Sequence, residues 1–116
     1  MSPIDYRFCS QTVTVYRKEQ DGISRQVVEN CYYHHQTAQR DAGYGKYDAR
    51  LFLLVMPGKT QRVFVGDRIY DGVGPRAEDI DWAAFVPAAV AGLSQVAYVT
   101  PWYWDGELSH VEAGRK

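Results

Sequence analysis

The chain has 116 residues, 46% of them hydrophobic and 23% charged, with thirteen Lys and Arg against fourteen Asp and Glu for a formal net charge of -1. That length fits one domain spanning 1–116, which at this size buries roughly two-thirds of the surface its unfolded chain exposes, so a hydrophobic core is available without staples. The balanced charge gives no electrostatic footprint for nucleic acid, leaving at most incidental contact with DNA, and no apolar window has the length of a membrane span.

Met1 to Ser10 lacks the apolar stretch of a signal peptide, and the chain is expected to be made and kept in the cytoplasm. The first structural signal is the pair of runs Thr12–Tyr16 and Gln26–Tyr33 around Asp21-Gly22. Asp-Gly suits a two-residue loop that needs positive φ, so these runs read as a β-hairpin. With Asp21 and Gly22 in the loop, Gln20 would pair with Ile23 and Cys31 would fall opposite Thr12. Cys9 would then lie about 10 Å further along, out of reach of a disulfide.

Gln36 to Asp48 is polar, carries Gly43 and Gly45, and lacks helical or alternating periodicity, so it reads as a long loop. Arg50–Met56 is a nearly continuous apolar run stopped by Pro57-Gly58, the pattern of a central strand. Arg62–Val65 and Arg68–Tyr70 flank Gly66-Asp67 and read as two short strands or one bent strand. Between Asp79 and Gly92, Trp82, Phe85, Val86, Ala89 and Leu93 recur at helical spacing behind Glu78, Asp79 and Asp81, which predicts a short helix limited by Pro87. Val96–Val99, continued through Trp102 and Trp104, meets Leu108–Glu112 across Asp105-Gly106 in a closing hairpin. The expected fold is all-β and mainly antiparallel, a small six-stranded barrel or sandwich with one short helix around 79–92.

Candidate chemistry is sparse. Cys31, His34, His35 and His110 are zinc-ligand types, but adjacent histidines on a strand point to opposite faces, so no metal is expected. The acidic group at 78–81 suits capping of a helix start. The glycines form no phosphate-binding pattern, no serine lies in a nucleophile elbow, and Cys9 has no activating histidine near it in sequence. No catalytic residue and no cofactor is expected. Nine Tyr and three Trp favour strands and interfaces. Because neighbours on a strand alternate faces, at least half of Tyr98, Trp102, Tyr103 and Trp104 are expected in the core.

The Thr12–Tyr16 hairpin, the long segment leading to Asp48-Ala49-Arg50-Leu51-Phe52, the Gly66-Asp67 turn and the closing Gly106–Arg115 segment with Leu108-Ser109-His110 together resemble the small minor capsid, or head-tail connector, proteins of tailed phages and prophages. The resemblance covers about residues 12–116. It implies a non-enzymatic virion protein, a compact β-barrel that assembles in the host cytoplasm into a head-closure or adaptor ring of the neck. Its implied partners are portal or adaptor and tail proteins and further copies of itself, with no membrane. The candidate partner-binding residues are Tyr44, Lys46 and Tyr47 in the long loop, where aromatics are free to serve binding, and Trp102 and Trp104 in the last hairpin. The alternative from another class is a ligand-binding barrel or enzyme subunit whose pocket is lined by Trp82, Tyr98 and Trp102.

Overall fold

The computed structural model describes residues 9–41 and 46–115, with side chains outside 35–50. The strands in chain order are β1 (Gln11–Glu19), β2 (Gly22–Asp41), β3 (Lys46–Pro57), β4 (Arg68–Asp71), β5 (Leu93–Gln95), β6 (Tyr98–Trp104) and β7 (Glu107–Arg115). Every pairing is antiparallel, and the seven strands form one sheet of order β5-β4-β1-β2-β3-β7-β6. The fold is all-β, as the strand patterns require, with seven strands where six were expected.

Hydrogen bonding does not close the sheet into a barrel. Its two edge strands, β5 and β6, are consecutive in the chain and separated by Val96 and Ala97 alone. The backbone therefore carries one edge of the sheet to the other. Val96 N–H donates to Asp67 O at 2.8 Å and Ala97 N–H to Gly114 O at 2.8 Å, tying this corner to both flanks.

The opposite corner lies in β2. Val13 pairs with Val28, but Gln11 pairs with Cys31, so β2 carries one more residue than β1 across this interval. Asn30, at φ 57°, occupies the bulge, and its short polar side chain makes the left-handed conformation accessible. The bulge bends β2, so its first half belongs with β5, β4 and β1 and its second half with β3, β7 and β6. Val13, Val15, Val28, Ile69, Phe52, Leu54, Met56 and Val111, drawn from both halves, bury their side chains in one core.

Next to its turn the first hairpin departs by two positions from the expected register. Its loop is Gln20-Asp21, closed by Glu19 opposite Gly22, with Ile23 facing Lys18 instead of Gln20; beyond the bulge the departure is one position, Cys31 facing Gln11 instead of Thr12. Side-chain alternation does not distinguish these registers, because a two-residue slip keeps the same faces inside. Tertiary contacts do distinguish them. Tyr16 and Arg25, paired across the hairpin, both donate to Pro75 O, at 2.6 and 2.9 Å. Gly74 is required beside this clamp, since a Cβ there would collide with the Tyr16 hydroxyl.

The segment expected as a helix forms none. A 3-10 turn at Ala77–Asp79 is followed by isolated turns such as Ala84 N–H to Asp81 O. Pro87 removes a donor in the middle of the segment, and its apolar residues find burial without a helix. Phe85 meets Tyr16 edge-on at 4.9 Å, and Ile80, Trp82 and Val90 pack onto the same outer patch with Leu93. Glu78 and Asp79 pair with the Arg76 side chain, and Asp81 accepts from Ala83 N–H, so Asp81 caps a turn and none of the three caps a helix.

Two further corrections concern strand lengths. Arg62–Val65 is not a strand: Asp67 accepts from Phe64 N–H at 2.9 Å and Asp67 N–H donates to Phe64 O at 3.1 Å, folding 64–67 into a tight turn before β4. The long loop at 36–48 is instead mostly strand. The β2–β3 ladder runs unbroken from Tyr32 opposite Val55 to Asp41 opposite Lys46. β7 joins β3 only from Phe52 onward, and β1 ends against Cys31, so the last six rungs form a two-stranded arm. Among the described residues no third strand pairs with this arm, and Gln36 to Asp48 carries no apolar alternation that would mark a strand in the sequence.

Candidate interaction surface

The β6–β7 hairpin is built by its turn. Asp105 and Gly106 take φ 52° and 79°, the pair of positive values a type I′ turn needs, and Trp104 closes it opposite Glu107. Leading into the turn, Trp102, Tyr103 and Trp104 are 46%, 64% and 48% exposed. The expectation that half of this aromatic run is core therefore fails from Trp102 onward. β6 is an edge strand, and its distal half extends past the core, so both of its faces meet solvent.

Two details fix what this edge can do. Pro101 sits in the middle of β6, opposite Val111, and offers no N–H, which obstructs addition of another strand along the edge. Contact here must be made by side chains. Trp102 stacks on the buried His110 of β7 at 6.1 Å and 18°, holding the indole against the hairpin. Burial lowers the His110 pKa below the ordinary histidine value, and the nearby Glu112 partly offsets this.

Of the loop candidates, Tyr44 lies outside the described residues. Lys46 and Tyr47 are at the start of β3, opposite Asp41 and Arg40 at the far end of the arm, and their side chains are likewise outside the description. The structure does not bring this group together with Trp102 and Trp104. One row across the sheet holds Trp102, His110 and Pro57, and another holds Tyr98, Gly114 and Leu53. The arm continues beyond the second row, and the aromatic turn beyond the first. From Lys46 to Pro57 is eleven residues, or about 36 Å along the strand. The two candidate surfaces thus project from opposite ends of one sheet.

A third feature escaped the sequence reading. A cleft of about 520 Å³ is lined by Arg17, Lys18, Phe64, Asp67, Arg68 and Trp82, among others. Arg17 donates through Nε and Nη2 to the two carboxylate oxygens of Asp67 and lies 4.4 Å over the Phe64 ring. That hydrogen bonding is the main reason the Arg17 pKa is raised. Arg68 lies 3.8 Å over the Trp82 ring and donates from Nη1 to Trp82 O and Phe85 O, clamping the turn beneath it. Burial lowers the Arg68 pKa, and its Nε is buried with no hydrogen-bond partner among the described residues. No local motif announces this cleft, because Arg17 and Asp67 are fifty residues apart in the chain.

The pocket imagined from Trp82, Tyr98 and Trp102 is not assembled around that cleft. Trp82 lines it without the other two, Tyr98 donates to Glu112 at 3.3 Å, and Trp102 rests on His110. Among the described residues, no three His, Cys, Asp or Glu side chains are grouped as metal ligands, and no helix is long and apolar enough to cross a membrane. Comparison with protein-family models, with curated proteins and with solved structures finds no match to this chain.

Proposed function

We propose that this chain is a structural, non-enzymatic assembly protein of a tailed phage or prophage, part of the head-tail connector between portal and tail. The observation that carries the reading is the placement of two hairpin ends, the β2–β3 arm and the β6–β7 turn, at opposite ends of one sheet. An adaptor needs to hold two neighbours at once, and this sheet offers the β2–β3 arm to one and the aromatic β6–β7 turn to the other. Three adjacent exposed aromatics supply large contact area at low conformational cost. The sequence resemblance to small minor capsid proteins supplies the class of assembly. In this reading the protein is made in the bacterial cytoplasm, joins copies of itself in a neck ring and remains in the virion.

Deleting the coding sequence from the phage genome that carries it tests the proposal. Filled heads and free tails should accumulate unjoined, and supplying the chain in trans should restore joined particles. Normal infectious particles from the deletion would overturn the reading.

A further inference from the structure

The cationic cleft and the aromatic turn are two unlike surfaces of one molecule, and their chemistry is complementary. Among the cleft's lining residues, Arg17, Lys18 and Arg68 outnumber the single acid Asp67. Two of these cations already lie over aromatic rings, and Lys18 is exposed at the strand end with no ion pair among the described residues. The β6–β7 turn presents Trp102, Tyr103 and Trp104 beside Asp105, with Glu107 just beyond in an exposed pair with Lys59. Indoles next to carboxylates fit a site of lysine and arginine, through cation–π contact and charge attraction together.

The two surfaces cannot satisfy each other within one chain. Gln95 lines the cleft, and β6 leaves that corner at Tyr98 to reach Trp104 about 20 Å away along the strand. Volume does not forbid the contact either, since 520 Å³ lies within the range of about 300–1,000 Å³ that accepts groups the size of a small ligand. From these observations we infer that the aromatic turn of one copy docks into the Arg17, Lys18 and Arg68 cleft of a second copy. This deepens the assembly reading above and rests on it. The contact joins two different patches, so it is heterologous and repeats head to tail, the geometry from which rings are generated. It also leaves the β2–β3 arm free for a different protein.

The test is photo-crosslinking of the full-length protein with benzoylphenylalanine at position 103, a highly exposed site. At about 1 mM, contacts with millimolar Kd become half-occupied. The expected result is an intermolecular crosslink mapping to residues 17–18, 64–68 or 82 of another copy. Lys18→Glu should cut its yield about fivefold, and Lys18→Arg should retain it. A turn-to-turn crosslink, a crosslink elsewhere, no crosslink, or a yield indifferent to Lys18→Glu would each overturn the inference. The measurement uses the purified protein alone, so its failure is distinct from failure of the phage-neck reading, which the deletion experiment decides.

Discussion

Arg17 grips the buried carboxylate of Asp67 with two parallel bonds, Nε to Oδ1 at 2.9 Å and Nη2 to Oδ2 at 2.8 Å, joining the end of β1 to the turn before β4. Asp67 is 2% exposed and also accepts from Phe64 N–H, so each of its oxygens is occupied. Arg17→Ala would strand a buried carboxylate, and Asp67→Ala would orphan the Phe64 N–H and a half-exposed guanidinium. Each single variant should lose about 2 kcal/mol, because hydrogen bonds to charged groups are worth more than neutral ones. The double variant should lose less than the sum by about 1–2 kcal/mol in urea denaturation, and strict additivity would show that the pair is not coupled.

Cys31 and Cys9 should differ in reactivity. Burial is the main cause that raises the Cys31 thiol to about 11, and its Sγ lies 3.3 Å from Gln11 O. Cys9 is partly exposed. Near pH 8 the Cys31 thiolate fraction is only about one in a thousand, so native protein should be alkylated by iodoacetamide at Cys9 about 100-fold faster than at Cys31. Mass mapping of labelled peptides reads the ratio. Equal labelling of both cysteines without denaturant would contradict the burial of Cys31.

His110 makes stability fall with acid. Its folded pKa is lowered by burial, so below the ordinary histidine value of about 6.5 the unfolded chain binds the proton more readily than the folded chain. Its contribution therefore falls as pH drops from that value toward the lowered folded one, then levels off. Melting temperatures between pH 8 and pH 5 should decline more steeply for the wild type than for His110→Gln. Parallel profiles would remove His110 as the cause.

The β2–β3 arm should be dispensable for folding and required for joining. Thr37 and Arg50 face each other on the ladder, so residues 38–49 can be replaced by Asn-Gly to close a shorter hairpin. Because no third strand pairs with the removed rungs among the described residues, the melting temperature should shift by less than about 4 °C. The shortened protein should fail to restore joined particles in the deletion background. Full restoration would place the second contact elsewhere on the molecule.

The features legible in the sequence are those fixed by neighbouring residues. Asp105-Gly106 alone specifies positive φ at two positions, and the hairpin expected there forms around it. The apolar run ending at Met56 becomes a strand because Phe52, Leu54 and Met56 alternate into the core. The strand nature of the arm is not legible, since Gln36 to Asp48 has no apolar period and the strands are defined by the backbone pairing of β2 with β3. Helical spacing at 79–92 misled for the complementary reason: Trp82, Phe85 and Val90 reach the same buried patch from irregular turns. Residue type marks Trp102 and Trp104 as contact candidates, but their exposure follows from β6 lying at the sheet edge beyond the core. The cleft depended wholly on tertiary structure. Arg17 meets Asp67, and Arg68 meets Trp82, only after β1, β4 and the segment following it have packed together, because contacts between residues distant in sequence are set by how the whole sheet bends.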